Sequence, residues 1–562
     1  MPSIFETDAA LDKLAGTAIT RTKELMKESD KLRDRREKGN RKRVARLFKD
    51  PKAIEATITL TDEVMRISSV KSSSRIFRRA AKKASITGFG PLNGIGLHAI
   101  GILSHVLPTP VVAAVHQRVR ALSKDLILAS EAEKLSKHMG KRTDKGISLN
   151  INVLGEAVLG DHEAELRFQS ILEMMRRPEV NYISVKLSSI VAQLIIIDVE
   201  GSITRVSEKM RILYREAQQH GVFVNLDMEE YRDLPMTVAA FMRVLDEAEF
   251  ESMKAGIVLQ AYLPEAHQFF AQLVEWSKAR YARSGGTIKV RLVKGANLAM
   301  ERAEAELHGW SSAPYRSKSD VDASYVRLVD AALRPEHSKA VRIGIASHNL
   351  FHMTWALEVA KTRGVLDQID IEMLEGMANA EALAVTRAGQ PVLLYAPVTR
   401  KDDFAAAVAY LVRRLDENTS DENYLKAAFE ISKNPAKFKE QEERFLKSIA
   451  ERHTITTESL RHVEHGLTAG HEFENERNAD PTEPQFIEAV TKAIKKVRAI
   501  KDQEIPLVIN GKEIFTKEQE EGADPSDNGK VWYHYSVGSA QDVDTAIETA
   551  KKAQPPETSS GV

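Results

Sequence analysis

A series of short apolar runs in the middle of this 562-residue sequence ends on polar or ionisable residues. Those ends carry Glu156, Lys186, Asp227, Gln260, Arg291 with Lys294, Ser347 with His348, and Glu372. Burying an ionisable group without a partner is costly, so ends that converge on one face must form a single polar site. A further pair, Arg413 and Arg414, interrupts the apolar segment AAAVAYLVRRL. Adjacent helical residues point about 100° apart, so two such arginines straddle a ligand rather than stack. Lysine with arginines suits a small carboxylate, because guanidinium matches that plane with parallel donors. Gln260, Arg291 and Lys294 could instead address a polar heteroaromatic cofactor and its phosphates. Taken singly, each residue has a plainer account: a surface lysine, a helix-capping aspartate, a hydrogen-bonded structural histidine. Together they point to an anion-binding enzyme. No HExxH, metal-spaced histidine set or GxSxG occurs, so metal hydrolysis and serine acyl transfer gain no support.

The elements that must position these residues follow from hydrophobic period. Short β-branched runs at Ser148–Val153, Tyr182–Lys186, Val222–Leu226, Gly256–Gln260, Ile288–Val293, Val341–Ala346, Ile369–Leu374 and Pro391–Tyr395 alternate with amphipathic stretches. DHEAELRFQSILEMMRR and TRVSEKMRILYREAQQHG are two such stretches, and DDFAAAVAYLVRRLDEN follows the last strand. This predicts an α/β fold: a closed (βα)8 barrel of the triose-phosphate-isomerase type, whose chemistry sits where strands end. No GxGxxG follows the first strand, which disfavours an open dinucleotide-binding sheet. Residues 1–145 read as a helical arm and cap, 146–420 as the barrel, 421–503 as a charged helical linker, and 504–562 as the start of another module. Within the arm, KLRDRREKGNRKRVARLF (Lys31–Phe48) reads as a solvated basic face, with no interleaved aromatics to stack on bases.

Composition agrees with a globular enzyme. The 80 basic and 80 acidic residues cancel, so no whole-protein field draws in nucleic acid. Cysteine is absent, which excludes disulfides, thiolate metal sites and cysteine nucleophiles in this chain. The N-terminus lacks the apolar run of a secretory signal, and the apolar stretch Ala99–Val115 is broken by His105, Pro108 and Pro110. The expectation is a cytoplasmic protein, with peripheral membrane contact and homo-oligomer formation left open.

LGEA (Leu154–Ala157), SVKLS (Ser184–Ser188), NLDMEE (Asn225–Glu230), VLQAYL (Val258–Leu263), VRLVKGA (Val290–Ala296), ASHN (Ala346–Asn349), YAPV (Tyr395–Val398) and YLVRRLDEN (Tyr410–Asn418) occur in that order. This succession resembles the proline dehydrogenase module of bifunctional proline utilisation A proteins. The resemblance implies a barrel holding FAD non-covalently and oxidising L-proline to Δ1-pyrroline-5-carboxylate. Hydride would pass from proline C5 to flavin N5, and electrons then to a membrane quinone. It implies that Lys186, Arg413 and Arg414 hold the proline carboxylate, Tyr410 walls the pocket, and Glu156 gates it by pairing with Arg413. Asp227 would support the site by hydrogen bonding. Gln260 and Arg291 would meet the flavin ring, and Lys294, Gly295 and Ala296 the phosphates and ribityl chain. Ser347, His348, Asn349, Glu372, Leu374 and Glu417 would complete the cofactor contacts.

Several positions depart from the family pattern. Asn297 and Leu298 stand where Tyr-Trp is usual, leaving proline and 4-hydroxyproline both open as substrates and removing an adenine-stacking ring. Ser347 replaces a threonine, and Glu375 opens EGM in place of HGM. Glu372 replaces a glutamine and is expected to add negative charge beside the flavin. Near the C-terminus, PLVINGKEI (Pro506–Ile514), ADPSDNGK (Ala523–Lys530) and VGSAQDVDTAIETAKKA (Val537–Ala553) resemble the opening of an aldehyde dehydrogenase domain. The expectation is a bifunctional enzyme truncated, or one that lost its second activity, since glutamate semialdehyde oxidation needs a cysteine nucleophile. A catalytically silent regulator using the helical arm is the alternative from another class.

Overall fold

The computed structural model describes residues 6–84, 86–155, 158, 160–400, 404, 407–408, 410–412, 414, 423–461, 478–500, 503–526 and 529–553. Two compact units result, Met1–Asn478 and Ala479–Val562.

The first unit is built around eight parallel strands: β1 (Ile147–Val153), β2 (Tyr182–Lys186), β3 (Phe223–Asp227), β4 (Ala255–Gln260), β5 (Ile288–Val293), β6 (Val341–Ala346), β7 (Ile369–Leu374) and β8 (Val392–Thr399). Each pairs with its successor, and β8 pairs back onto β1, so the barrel closes; a two-residue strand, Leu128–Ala129, adds to the end of β8. The expected (βα)8 barrel is the observed fold. β8 runs four residues beyond the predicted end, through Pro397. Proline cannot donate to the ladder, but the carbonyls beyond it are used. Leu154 N donates to Val398 O at 3.0 Å, and Ser130 N to Thr399 O at 3.0 Å.

The barrel interior is not the usual stack of aliphatic layers. Asn150, Ser184, Asn225, Lys289, Arg291 and Glu372 are all buried there, while the alternate residues of each strand are apolar and face the helices. Lys289 and Arg291 reach residues on β2 and β7, strands that do not adjoin β5, so both side chains cross the barrel.

Further helices pack on the barrel's own helical ring. The helix Leu14–Leu32 packs on Leu350–Thr362 and Asn379–Arg387. Thr22 and Thr354 hydroxyls meet at 2.8 Å, and Arg21 pairs with Glu358 at 2.5 Å. The helix Pro435–Glu451 begins on an Asn434 cap and packs on Lys318–Ala332. Just beyond its end, Arg452 is fully buried, donating to Asp330 and to Asp8 O at 2.8 Å. A charged linker thus becomes part of the barrel's cover. The basic segment is also less solvated than expected, because Arg33 is buried and, with Arg41, pairs with Glu381. Among the described residues, no helix is long and apolar enough to cross a membrane.

In the second unit, Gln503–Ile505, Val531–Ser536 and Gln519–Ala523 form a three-stranded sheet. Leu507–Ile509 and Lys512–Ile514 form a hairpin. Its two-residue loop, Asn510-Gly511, has φ of 54° and 71°, the positive values that such a turn demands. A helix, Ala540–Ala553, follows.

Candidate active site

At the C-terminal ends of the strands lies a cavity of about 340 Å³. Lys186, Asp227, Gln260, Arg291, Lys294, Gly295, Ala296, Ser347, His348, Asn349, Glu372, Leu374, Tyr410 and Arg414 all line it. Barrel closure brings together residues spread over more than two hundred positions of sequence. Glu156, Arg413 and Glu417 lie outside the described residues.

Arg291 is the best-anchored charge. Its Nη2 donates to Asp227 Oδ1 at 2.6 Å, its Nη1 to Ser184 Oγ at 3.3 Å, and its guanidinium covers the Tyr395 ring at 5.1 Å. Burial alone would lower its pKa, but the carboxylates of Asp227 and Glu372 hold it above the ordinary value. Tyr395 donates its hydroxyl to Asp227 Oδ2 at 2.8 Å, and Asn225 Nδ2 reaches Oδ1 at 3.3 Å. Burial, reinforced by the neighbouring Asp227 carboxylate, keeps that phenol protonated far into the alkaline range. A carboxylate accepting from three sides is held rigidly, and so is the cation it carries.

Lys186 Nζ meets Glu229 Oε1 at 2.8 Å. Glu229 was not expected in the site; it follows directly on the polar end of β3. Since an ammonium has three donors, a substrate carboxylate reaching Lys186 would share it with Glu229. Gln260 is oriented from both ends: Nε2 donates to Glu229 O at 3.1 Å, and Oε1 accepts from Ala296 N at 3.3 Å. That second bond fixes the turn after β5, where Gly295 packs against the Tyr262 ring.

His348 has a defined tautomer. Its Nε2 accepts from Leu374 N at 3.0 Å, so the proton sits on Nδ1, and Nδ1 has no hydrogen-bond partner among the described residues. Burial lowers its pKa to about 4, leaving it neutral at physiological pH. A buried N–H donor of this kind is costly unless a ligand accepts from it. Asn349 is occupied otherwise: its side chain caps the helix Leu350–Thr362, accepting from Phe351 N at 3.0 Å.

The far part of the cavity is cationic. Lys294 Nζ lies 2.6 Å from Asp322 Oδ1 and 3.0 Å from His352 Nδ1, and Lys318 pairs with the same aspartate. Arg444 and Gln441, on Pro435–Glu451, also line it. Burial pulls the Lys294 pKa down to about 7; Asp322 opposes this, and Lys318 adds to it. A lysine so poised gains a proton when an anion binds beside it. Binding of pyrophosphate or a dinucleotide above about pH 7 is therefore expected to take up protons. Calorimetry in buffers of differing ionisation enthalpy checks this; buffer-independent heats would remove Lys294 from the anion site.

Two departures noted in the sequence acquire partners. Glu375 is buried against Arg142 and 3.4 Å from His138. Beside Glu372 stands Lys289, a residue the sequence did not single out: its Nζ lies 2.6 Å from Glu372 Oε1 and 2.9 Å from Asp370 Oδ2.

Comparison with known proteins gives the lineage of this barrel. The family described as proline dehydrogenase matches residues 135–427, a little over half of the chain and the whole of the described barrel. The chain belongs to the proline dehydrogenase family. A solved structure of proline utilization A from Corynebacterium freiburgense is similar at 44% identity and TM-score 0.59, covering 70% of this proline dehydrogenase-family chain and 38% of that one. The fold also matches proline utilization A from Bdellovibrio bacteriovorus, at TM-score 0.76 and 23% identity, over 96% of this chain and 54% of the other. Among curated relatives, bifunctional protein PutA of Escherichia coli K12 is 23% identical over 329 residues, 55% of this chain and 24% of its own length. The chain thus spans about a quarter of that relative.

Proposed function

We propose that this chain oxidises L-proline to Δ1-pyrroline-5-carboxylate with FAD as resident cofactor, electrons passing onward to a quinone. The observation that carries the reading is the sorting of charge within one cavity. An anchored Arg291, and Lys186 with Arg414, line the same space as a phosphate-suited cluster of Lys294, Lys318 and Arg444. The residues fit the cofactor. His348 Nδ1–H is a buried donor without a partner among the described residues, and the lysine cluster suits a pyrophosphate.

Bound FAD would supply the hydride acceptor at N5 for the hydrogen on proline C5. The chain's own residues do the rest. Arg414, stacked over the Tyr410 ring at 5.3 Å, and Lys186 hold the substrate carboxylate and so orient C5. Arg291, fixed by Asp227, offers positive charge where reduction builds negative charge. Asn297, at the cavity wall, leaves 4-hydroxyproline as the second substrate to test. Residues 504–562, within the second unit, are read as the opening of an aldehyde dehydrogenase domain.

The purified protein is expected to be yellow and to hold FAD in equimolar amount. Proline added without oxygen should bleach the flavin band, and 4-hydroxyproline run in parallel should act more slowly. A flavin spectrum unchanged by saturating proline would sink the substrate assignment.

A further inference from the structure

Lys289 takes no part in the proposed reaction, yet it is deeply buried, 2% exposed in the middle of the barrel. It comes from β5, two residues before Arg291, and crosses the interior to β7. There Nζ stands 2.6 Å from Glu372 Oε1 and 2.9 Å from Asp370 Oδ2, and it covers the Tyr182 ring at 5.1 Å. Glu372 Oε2 in turn faces Arg291 Nη1 at 3.6 Å. Arg291 continues the alternation to Asp227 at 2.6 Å. Acid and base therefore alternate from the barrel interior to the cavity wall, which Arg291, Asp227 and Glu372 line.

Space for this pair is built into the neighbouring strand. Gly344 on β6 lies between Arg291 and Asp370 in register. A Cβ placed there would come within 2.3 Å of Glu372 Oε1 and 3.0 Å of Lys289 Cε. Any larger residue would force the pair apart. The lysine, the glutamate and the glycine thus form one sterically and electrostatically matched set, which is more than a lone polar residue tolerated in a core.

We propose that Lys289 is a positioning residue of the cofactor site, holding Glu372 in place beside Arg291 and cancelling its charge. The proposal rests on the reading of this cavity as a flavin site. On the sequence resemblance a neutral amide is usual where Glu372 stands. A carboxylate alone would oppose electron uptake by a bound flavin, because the reduced ring is anionic and Coulomb interactions are strong in a buried site. With Lys289 behind it, the pair is neutral overall.

The test is a double-variant cycle read by the midpoint potential of the bound flavin, titrated anaerobically against a reference dye. Lys289→Met leaves Glu372 uncancelled and should lower the potential. Glu372→Gln leaves Lys289 in excess and should raise it. The double variant removes both charges and should return close to the parent. Urea unfolding of the apoproteins gives a second readout: Lys289→Met should unfold at lower urea, and the double variant should recover most of the loss. If Lys289→Met alone does not fold, the double variant, folded and flavin-loaded, still carries the comparison with Glu372→Gln. Flavin bound with its potential unmoved by Lys289→Met, or unfolding effects that simply add, would overturn the proposal while leaving the cofactor reading intact. A parent protein that takes up no flavin overturns the cofactor reading and, with it, the role given to Lys289.

Discussion

Arg414→Met is expected to raise the proline concentration for half-maximal rate ten- to a hundred-fold, while the protein stays yellow. The magnitude follows from losing one charge-assisted hydrogen bond in a desolvated site, about 1.5–3 kcal/mol. Arg414 lines the cavity and lies over the Tyr410 ring at 5.3 Å, so its loss also removes a stacking contact from the pocket wall. Lys186→Met should act in the same direction but carries a second effect, because Glu229, 2.8 Å away, loses its partner. Lys186→Met/Glu229→Gln removes both charges and isolates the contribution to substrate. If carboxylate binding is the role of Lys186, proline affinity stays weak in that double variant. If Lys186 serves only to neutralise Glu229, affinity returns. Tetrahydrofuran-2-carboxylate, which keeps the carboxylate and lacks the amine, should compete with proline in the parent and weaken in each variant. Steady-state kinetics with unchanged proline dependence in Arg414→Met would show that this arginine does not hold the substrate carboxylate.

The barrel was legible because parallel strands buried on both faces are written as short β-branched runs between amphipathic helices. The cavity-lining residues were legible for a related reason: Lys186, Asp227 and Gln260 close their strands, and a polar group there ends an apolar run. What was hidden are partners that only closure creates. In IKVRLV, Lys289 reads as one polar position in an alternating strand, and nothing nearby in sequence says that Glu372 and Asp370, on the next strand but one, stand against it. Lys318 and Asp322 sit at i, i+4 on a helix, the spacing of an ordinary surface pair, yet Asp322 also receives Lys294. The segment read as a charged linker carried a usable signal. Gln441, Phe445, Ser448 and Arg452 recur at helical spacing and are all buried, and Ser448 reaches His352 at 3.1 Å. Charge density on the other faces of Pro435–Glu451 masked that stripe.

The largest effect is expected at Arg291, and on two separable scales. Arg291 and Asp227 are both buried and are joined at 2.6 Å. Among the described residues, Arg291→Met leaves Asp227 accepting only from Tyr395 at 2.8 Å and Asn225 at 3.3 Å, with its charge uncompensated. Breaking a buried pair by removing one partner costs about 3–5 kcal/mol, whereas replacing both partners by neutral groups of similar shape costs far less. Arg291→Met should therefore unfold at much lower urea than the parent, and Arg291→Met/Asp227→Asn should regain most of that stability. Catalysis should not follow the same course. The cation proposed to offset charge on a reduced flavin is missing from both variants, and losing one such preorganised group typically slows the chemical step by about 100- to 1000-fold. Arg291→Lys keeps the charge but not the planar fork that spans Asp227 and Ser184, so it should fall between parent and Arg291→Met. Anaerobic stopped-flow mixing with proline reads the reduction step directly, free of the later reoxidation. A double variant that is restored in stability and still slow in reduction separates the electrostatic role of Arg291 from its part in folding. If reduction recovers together with stability, Arg291 acts only as the structural partner of Asp227.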